Sequence, residues 1–294
     1  MTTTDDTTPA PTREPAPNAP ARADAGTVDE RVLRALGSGD HPARPNALTS
    51  SLTFGHRALL KIKHVPEQLF DVTMFPVMFT LMFTFVFGGA VAGSPGDYLQ
   101  YALPGILVQS IVFITMYTAL TINTDIEKGV FDRFRSLPVW RPSLLVGALL
   151  GDTLRYAIAS TVVMVVGLSI GYRAPGGVLG VLAAIAMLLV FCFSLSWVWL
   201  ILGLKLRTPN AVMGVSMMVL FPLTFVSSVF APPETMPGWL ESFVNVNPIT
   251  LLVEAARSLM DGAPDGGDIL LVLVISAVVT AVASPFALRL YNRV

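Results

Sequence analysis

The sequence predicts an all-α integral membrane protein with six transmembrane helices. Hydrophobic residues make up 53% of the 294 residues and charged residues only 13%, whereas soluble domains carry about 25% charged residues. The charges are concentrated in short segments that separate uncharged apolar stretches of about 20 residues, the length that crosses a bilayer as a helix. Because lipid offers the backbone no hydrogen bonds, such stretches must satisfy their peptide groups internally, as helices do.

Residues 1–46 are rich in proline, alanine, threonine and aspartate, and we expect them to form a disordered cytoplasmic tail. Residues 47–294 are predicted to form the transmembrane domain. Over residues 50–65 the apolar and basic side chains fall on separate stripes of a helix, with Arg57 and Lys61 on the basic stripe. A basic amphipathic helix directly before a span is expected to lie in the membrane interface.

Six apolar stretches follow this interface helix. Pro104, Pro222 and Pro285 lie inside three of them, which a membrane helix tolerates because its neighbours can satisfy the freed carbonyl groups. The predicted spans cover residues 72–90, 99–123, 144–171, 178–202, 211–230 and 269–288.

Lysine and arginine residues in the short loops predict the orientation of the chain. One side of the membrane receives only Arg173 and Arg257. The other side, which is therefore predicted to be cytoplasmic together with both termini, receives a larger set. Its members are Arg57, Lys61, Lys63, Lys128, Arg133, Arg135, Arg141, Lys205, Arg207, Arg289 and Arg293.

The loop between predicted spans two and three is short, cytoplasmic and dense in charge of both signs. Its apolar residues recur at helical spacing and predict a short amphipathic helix across the ends of the two spans. Such a helix can transmit force, because it is rigid and joined to both spans. The alternative is a solvated loop whose arginines bind lipid phosphates. The apolar positions are Ile126, Val130, Phe134 and Leu137.

Residues 231–268 are predicted to lie outside the cell and are too polar to span the membrane. Prolines divide this segment into short apolar helices that would lie at the membrane edge or re-enter it. In the helix expected from Ile249 to Met260, Glu254 and Arg257 can pair at a spacing of three residues. The segment is interpreted either as a plug over an exit path or as a simple interfacial anchor.

Asp152 and Arg155 lie inside predicted span three. Charged groups within a span are costly and are therefore candidates for function. The two residues are three positions apart on a helix and can neutralise each other, close to its cytoplasmic end. Two interpretations follow: a role in packing or topology, and a role in substrate binding or gating.

The sequence contains none of the usual catalytic motifs. It has no phosphate-binding loop of the type Gly-x-x-x-x-Gly-Lys-Ser/Thr, no His-Glu-x-x-His and no Gly-x-Ser-x-Gly. Its single cysteine, Cys192, and three histidines that precede the first span offer no metal site. We therefore expect a non-enzyme without a cofactor, in which any ATP is bound by a partner subunit. The net charge of −1 gives no reason to expect a nucleic-acid partner.

Two segments resemble the permease subunits of type-2 ABC exporters, and most closely the daunorubicin-resistance-like branch of that family. One is DIEKGVFDRFRSLPV after span two, and the other is SSVFAPPETMPGWLESFVNVNPITLLVEAARSLM after span five. The sequence FGG at residues 87–89 also fits. The resemblance extends from about Ser50 to the C-terminus and leaves out the expected disordered tail.

The resemblance implies a homodimer in the bacterial cell membrane that binds two copies of a cytoplasmic ABC ATPase and contacts membrane lipid. It implies export of a hydrophobic drug, a natural product or a lipid-like compound, with spans two and five lining the dimer interface and the transport path. The competing hypothesis is an ATP-independent carrier or channel, for which Asp152 and Arg155 are the ionisable groups.

The resemblance also implies roles for particular residues. Arg57 and Lys61 of the interface helix would contact the ATPase. An external gate would be formed by Met236, Trp239, Asn247 and Pro248. The positions that carry over as coupling residues are Glu127, Lys128, Gly129, Arg133, Arg135 and Pro138.

Overall fold

A computed structural model describes the chain at residues 66–89, 93–129 and 143–291, and every regular element in these ranges is helical. A π-helical turn, Phe83–Phe87, continues the first helix, and a 3-10 turn, Pro233–Thr235, precedes the sixth. The helices are α1 (Pro66–Met82), α2 (Pro95–Glu127), α3 (Ser143–Ile170), α4 (Gly177–Lys205), α5 (Pro209–Phe225), α6 (Gly238–Val246), α7 (Pro248–Met260) and α8 (Gly266–Tyr291).

Three of these helices begin with the same local signal, a capping residue followed by proline. Ser94, Thr208 and Asn247 each accept a hydrogen bond from a backbone N–H of the first turn, at 3.1, 3.3 and 2.9 Å. The proline that follows needs no such partner, and its fixed φ angle suits the first helical position. The starts of α2, α5 and α7 are therefore encoded by two adjacent residues each.

Helix α2 is the centre of the bundle. Helices α1, α3, α4, α5 and α7 all pack against it. Its apolar segment is 83% buried, compared with 33% for α3 and α4 and 17% for α8. These four helices, α2, α3, α4 and α8, are each long and apolar enough to cross a membrane. The chain therefore has the fold of an all-α protein that crosses the membrane several times.

Glycine residues allow the backbones to approach closely around α2. A Cβ atom on Gly203 of α4 would lie 2.6 Å from the carbonyl oxygen of Ala119 of α2. A Cβ atom on Gly105 of α2 would lie 2.6 Å from the carbonyl oxygen of Val229, which follows α5. Small residues at crossing points are the usual means of close helix packing in membranes.

The observed helix ends differ from the predicted spans mainly by a few residues. Helix α2 extends from Pro95 to Glu127 rather than over 99–123, so Ile126 and Glu127 continue this span. Helix α5 ends at Phe225 and not at residue 230, because the chain turns at residues 226–230. The prolines at 104, 222 and 285 do lie inside helices.

Several predicted features lie outside the described residues. These are the tail over 1–46, the interface helix with Arg57 and Lys61, and most of the loop between α2 and α3, with Arg133, Arg135 and Pro138.

Candidate functional site

A buried polar network joins α2, α3 and α4. The hydroxyl of Thr118 donates to Asp152 Oδ2 at 2.7 Å and lies 3.0 Å from the hydroxyl of Tyr156, which lies 2.9 Å from Ser196 Oγ. Thr118 gives its one hydroxyl proton to Asp152, and Ser196 gives its own to the carbonyl oxygen of Cys192 at 2.7 Å, so the Tyr156 hydroxyl donates to either Thr118 or Ser196. The network therefore ends on a carboxylate, and it fixes three helices relative to one another.

The negative charge of Asp152 is neutralised by an arginine of the same helix. Arg155 Nη1 lies 3.0 Å from Asp152 Oδ1, and the two side chains are 13% and 8% exposed. The predicted pairing of these residues is confirmed. Since Asp152 also accepts from Thr118 of α2, the ion pair belongs to the contact between α2 and α3.

Near its C-terminal end, helix α2 makes a second set of hydrogen bonds to α4 and the residue after it. The side-chain amide of Asn123 donates to the carbonyl oxygens of Gly203 and Leu206, at 3.0 and 2.6 Å. Glu127 and Lys128 follow one turn later and are exposed, and Gly129 has a φ angle of +64° that favours glycine. These three predicted coupling residues thus stand where α2 leaves the bundle toward α3.

At the opposite end, where α2, α4 and α8 begin, the connecting segments are held together by hydrogen bonds. Gln100 of α2 donates to the carbonyl of Gly171 and accepts from the backbone of Arg173, both at 3.2 Å. The backbone N–H of Gly176 donates to the carbonyl of Met260 at 2.8 Å. This end of the bundle, where α7 also lies, is called the α7 end below.

Tyr172 is buried at the α7 end, in the turn between α3 and α4, and its hydroxyl donates to Sδ of Met260 at 3.6 Å. Burial, together with the nearby Asp261 carboxylate and against the opposing effect of Arg257, raises the pKa of Tyr172 to about 12. The hydroxyl therefore remains protonated near neutral pH and can act as a donor throughout the physiological range.

The predicted gate residues divide into two groups. Asn247 is only 3% exposed, and its amide donates to the carbonyls of Leu223 and Val226 at 2.7 and 2.6 Å. Pro248 follows it at the start of α7. Trp239, by contrast, is 76% exposed on α6, and Met236 is half-buried before it. Asn247 thus braces the end of α5, whereas Trp239 presents an exposed aromatic surface.

Arg257 of α7 contacts several segments at this end. Its guanidinium pairs with Glu254 at 2.9 Å, as the sequence predicted, and Nη2 donates to the carbonyls of Tyr101 and Ser228 at 3.3 Å. It also lies 4.1 Å above the Tyr101 ring, a cation–π geometry. One side chain therefore joins α7, α2 and the turn after α5.

Removal of the Asn247 side chain by Asn247→Ala should destabilise the protein by about 2 kcal/mol, because a helix cap and two buried hydrogen bonds are lost. The matched control is Asn245→Ala, which truncates an exposed asparagine of α6. Thermal unfolding of the purified protein in detergent measures both. Equal unfolding temperatures for the two variants would contradict the bracing role.

Several of these residues were missed by sequence reasoning. Thr118, Tyr156 and Ser196 look like ordinary small or aromatic residues of apolar helices, and their partners lie 34 to 40 positions away. No local spacing signal exists for such contacts. The part of the chain that the structure describes holds no group of three or more His, Cys, Asp or Glu residues suited to a metal ion.

Comparison with known proteins shows to which protein family this chain belongs. Residues 50–260 match the family model of the ABC-2 type transporter. The chain is 47% identical over 265 residues, 90% of its length, to the daunorubicin resistance ABC transporter permease protein DrrB1 of Streptomyces coeruleorubidus, of which it covers 94%.

Two more distant relatives are also named as ABC transporter proteins. The doxorubicin resistance ABC transporter permease protein DrrB of Mycobacterium tuberculosis is 25% identical over 172 residues, 58% of this chain and 60% of that one. ABC transporter G family member 20 of Dictyostelium discoideum is 24% identical over 207 residues, 68% of this chain and 27% of the longer protein. The chain therefore belongs to the ABC-2 type transporter family. It is a multi-pass membrane permease, and membership implies a partner ATPase subunit.

Proposed function

We propose that this chain is the permease of an ATP-driven exporter of hydrophobic drugs or natural products, working as a homodimer with two copies of a cytoplasmic ATPase. The observation that carries the proposal is the 47% identity, over 90% of the chain, to a permease named for daunorubicin resistance. The bundle is compatible with this activity, because it offers an apolar, aromatic surface on α1 and α5. Residues 47–294 form the transmembrane domain in this proposal.

Six spans are supported by the places where helices begin and end. The start of α4 hydrogen-bonds to Met260, just before α8 begins. Helix α4 ends at Lys205, at the opposite end of the bundle from its own start and from the start of α8. The chain must therefore cross the bundle once more before α8 begins, and α5 is the helix between them. Helix α1 likewise runs alongside α2: Phe75 meets Phe113, and a Cβ atom on Gly88 would lie 2.7 Å from Pro95.

With six spans and the basic loops in the cytoplasm, both termini are cytoplasmic and the α7 end faces outward. The short helices α6 and α7 then lie at the exit, with Met236, Trp239, Asn247 and Pro248 as gate residues and lipid around them. In this proposal the loop between α2 and α3 and the pre-span residues Arg57 and Lys61 contact the ATPase. Thr118 of α2 and Asp152 of α3 are hydrogen-bonded. A displacement of this loop by the ATPase would therefore move α2 and α3 together.

The surface for a second copy is on α5. We expected span two to line the dimer interface, and this expectation is corrected. Helix α2 is enclosed by the other helices of its own chain and has little surface left for a second copy. Helix α5 instead presents a continuous apolar face. Its exposed residues are Met213, Val215, Met218, Val219, Phe221 and Phe225.

Transport can be tested in inside-out vesicles that contain the tagged chain and the ATPase that copurifies with it. We expect daunorubicin to accumulate when ATP is supplied, and not with a non-hydrolysable ATP analogue. Accumulation that follows an imposed ion gradient without ATP would instead support the carrier hypothesis.

Coupling can be tested in the same vesicles with the variants Glu127→Ala and Arg133→Ala. We expect each to reduce ATP-dependent uptake about ten-fold or more while the chain remains folded, because both residues are proposed to contact the ATPase. The control is Glu241→Ala, a charge removal in α6 at the other end of the bundle. Uptake and ATPase copurification equal to wild type in both coupling variants would refute the assignment.

A further inference from the structure

The end of the bundle opposite the α7 end is called the basic end below. There the C-terminal parts of α2, α4 and α8 and the start of α3 meet around one apolar cluster. Each of these four helices contributes a buried residue to it: Ile122, Leu145, Leu204 and Ala287. Helices α4 and α8 also pack extensively against each other. The last turns of α4 and α8 therefore lie close together at the basic end.

Three positively charged side chains lie at the basic end beside α4 and α8. Lys205 is the last residue of α4, Arg207 follows it in the turn toward α5, and Arg289 lies in the last turn of α8. All three are exposed. In the described part of the chain none of them forms an ion pair, although Asp125 and Glu127 lie near the end of α2. Their charges are therefore available to an anion.

Phe286 of α8 positions the ammonium group of Lys205. The Nζ atom lies 5.4 Å from the centroid of the Phe286 ring, which is a cation–π contact. Arg289 follows Phe286 by three residues and is therefore its neighbour on the surface of α8. An aromatic ring orients a cation but, unlike a carboxylate, does not neutralise it. Two unneutralised cations thus lie next to one ring.

A row of exposed apolar side chains extends along α8 to this ring. Val274, Val278, Val282 and Phe286 recur every four residues and are 48%, 55%, 68% and 48% exposed. Residues four apart lie above one another on a helix, and the twelve residues from first to last span about 18 Å. One leaflet of bilayer hydrocarbon is about 15 Å thick. The row therefore has the length of one leaflet, and the cations lie at its end, at the level of lipid headgroups.

We propose that Lys205, Arg289 and the apolar row of α8 form a binding site for an anionic phospholipid of the leaflet at the basic end. The lipid phosphate accepts charge-assisted hydrogen bonds from Lys205 and Arg289, and an acyl chain covers the row. Arg207 adds positive charge at headgroup level. A free phosphate would use only the cations, whereas a lipid uses the row as well. The bound lipid links the last turns of α4 and α8, whatever compound the protein exports.

The test is thermal unfolding of the purified full-length chain in detergent, with dioleoylphosphatidylglycerol or dioleoylphosphatidylcholine added at equal concentration. We expect the anionic lipid to raise the unfolding temperature by about 5 °C or more beyond the zwitterionic one, because it binds the folded chain. In Lys205→Gln/Arg289→Gln this difference should fall to about 1 °C or less. A difference as large as that of wild type in this double variant, or none in wild type, overturns the proposal.

Two control variants separate the site from charge in general. Lys205→Arg/Arg289→Lys keeps both charges in place and should retain most of the difference between the lipids. Arg173→Gln removes an exposed positive charge at the α7 end and should retain all of it. Loss of the difference in Arg173→Gln would show that net charge alone attracts the lipid, and the site would be wrong.

Three further outcomes would assign the cations to other roles and overturn the proposal. If glycerol phosphate, the headgroup without acyl chains, raises the unfolding temperature as much as phosphatidylglycerol, the site binds free anions. If the Lys205→Gln/Arg289→Gln variant is monomeric where the wild-type chain is dimeric by light scattering, the surface contacts a second copy. If that variant unfolds at a lower temperature without lipid but keeps the lipid difference, the cations serve only the helix dipoles.

Discussion

Substitution of Gly203 by valine should destabilise the protein by about 3 kcal/mol or more. The Cβ atom would lie 2.6 Å from the carbonyl oxygen and 3.0 Å from Cα of Ala119. These are backbone atoms of α2, which cannot rotate away, so α2 and α4 must separate. Separation also lengthens the hydrogen bond from Asn123 to the Gly203 carbonyl and the one from Trp199 to Thr115.

The matched control is Gly214→Val in α5, where an added Cβ would meet no atom within 4 Å. Both variants place a β-branched residue in a membrane helix, so their intrinsic helix preferences cancel. Thermal unfolding in detergent, with the yield of monodisperse protein as a second readout, compares them. Similar losses in the two variants would show that helix preference, and not the contact between α2 and α4, limits stability.

Arg155→Leu should destabilise the protein by about 3–5 kcal/mol, because it leaves the buried carboxylate of Asp152 without its cation. The double variant Asp152→Asn/Arg155→Leu should recover most of this loss, since no net charge then remains in the contact between α2 and α3. In the double variant, Thr118 can still donate to the side-chain oxygen of the introduced asparagine.

Unfolding free energies of wild type, both single variants and the double variant form a mutant cycle that measures the interaction between the two residues. Arg289→Leu, which alters an exposed arginine at the end of α8, controls for loss of a positive charge as such. Additive effects of the two substitutions would mean that Asp152 and Arg155 contribute independently, against the arrangement observed.

The sequence was sufficient for features that depend on neighbours along the chain. Apolar stretches located the long helices to within a few residues, and the spacing of Asp152 with Arg155 and of Glu254 with Arg257 predicted two ion pairs. The end of α5 was placed too late, because Val226, Val229 and Phe230 extend the apolar stretch. The carbonyls of Val226 and Ser228 nevertheless accept hydrogen bonds from Asn247 and Arg257. Hydropathy does not record such tertiary hydrogen bonds.

The sequence could not show which apolar helix lies at the centre. In lipid, a central helix and a peripheral one are both apolar on every side, so periodicity does not distinguish α2 from α8. Thr118 with Tyr156, and Arg257 with Tyr101, are paired across 38 and 156 positions.

The central position of α2 also has a consequence for how the chain is made. Thr115 of α2 accepts a hydrogen bond from Trp199, 84 residues later in the chain. At about 5–20 residues per second, synthesis takes about 4–17 s to cover that distance. Helix α2 therefore enters the bilayer before the helix that will enclose it exists. During this interval the hydroxyl of Thr115 has a partner within its own helix, the carbonyl of Val112 at 2.6 Å, so this polar group is already satisfied when α4 arrives.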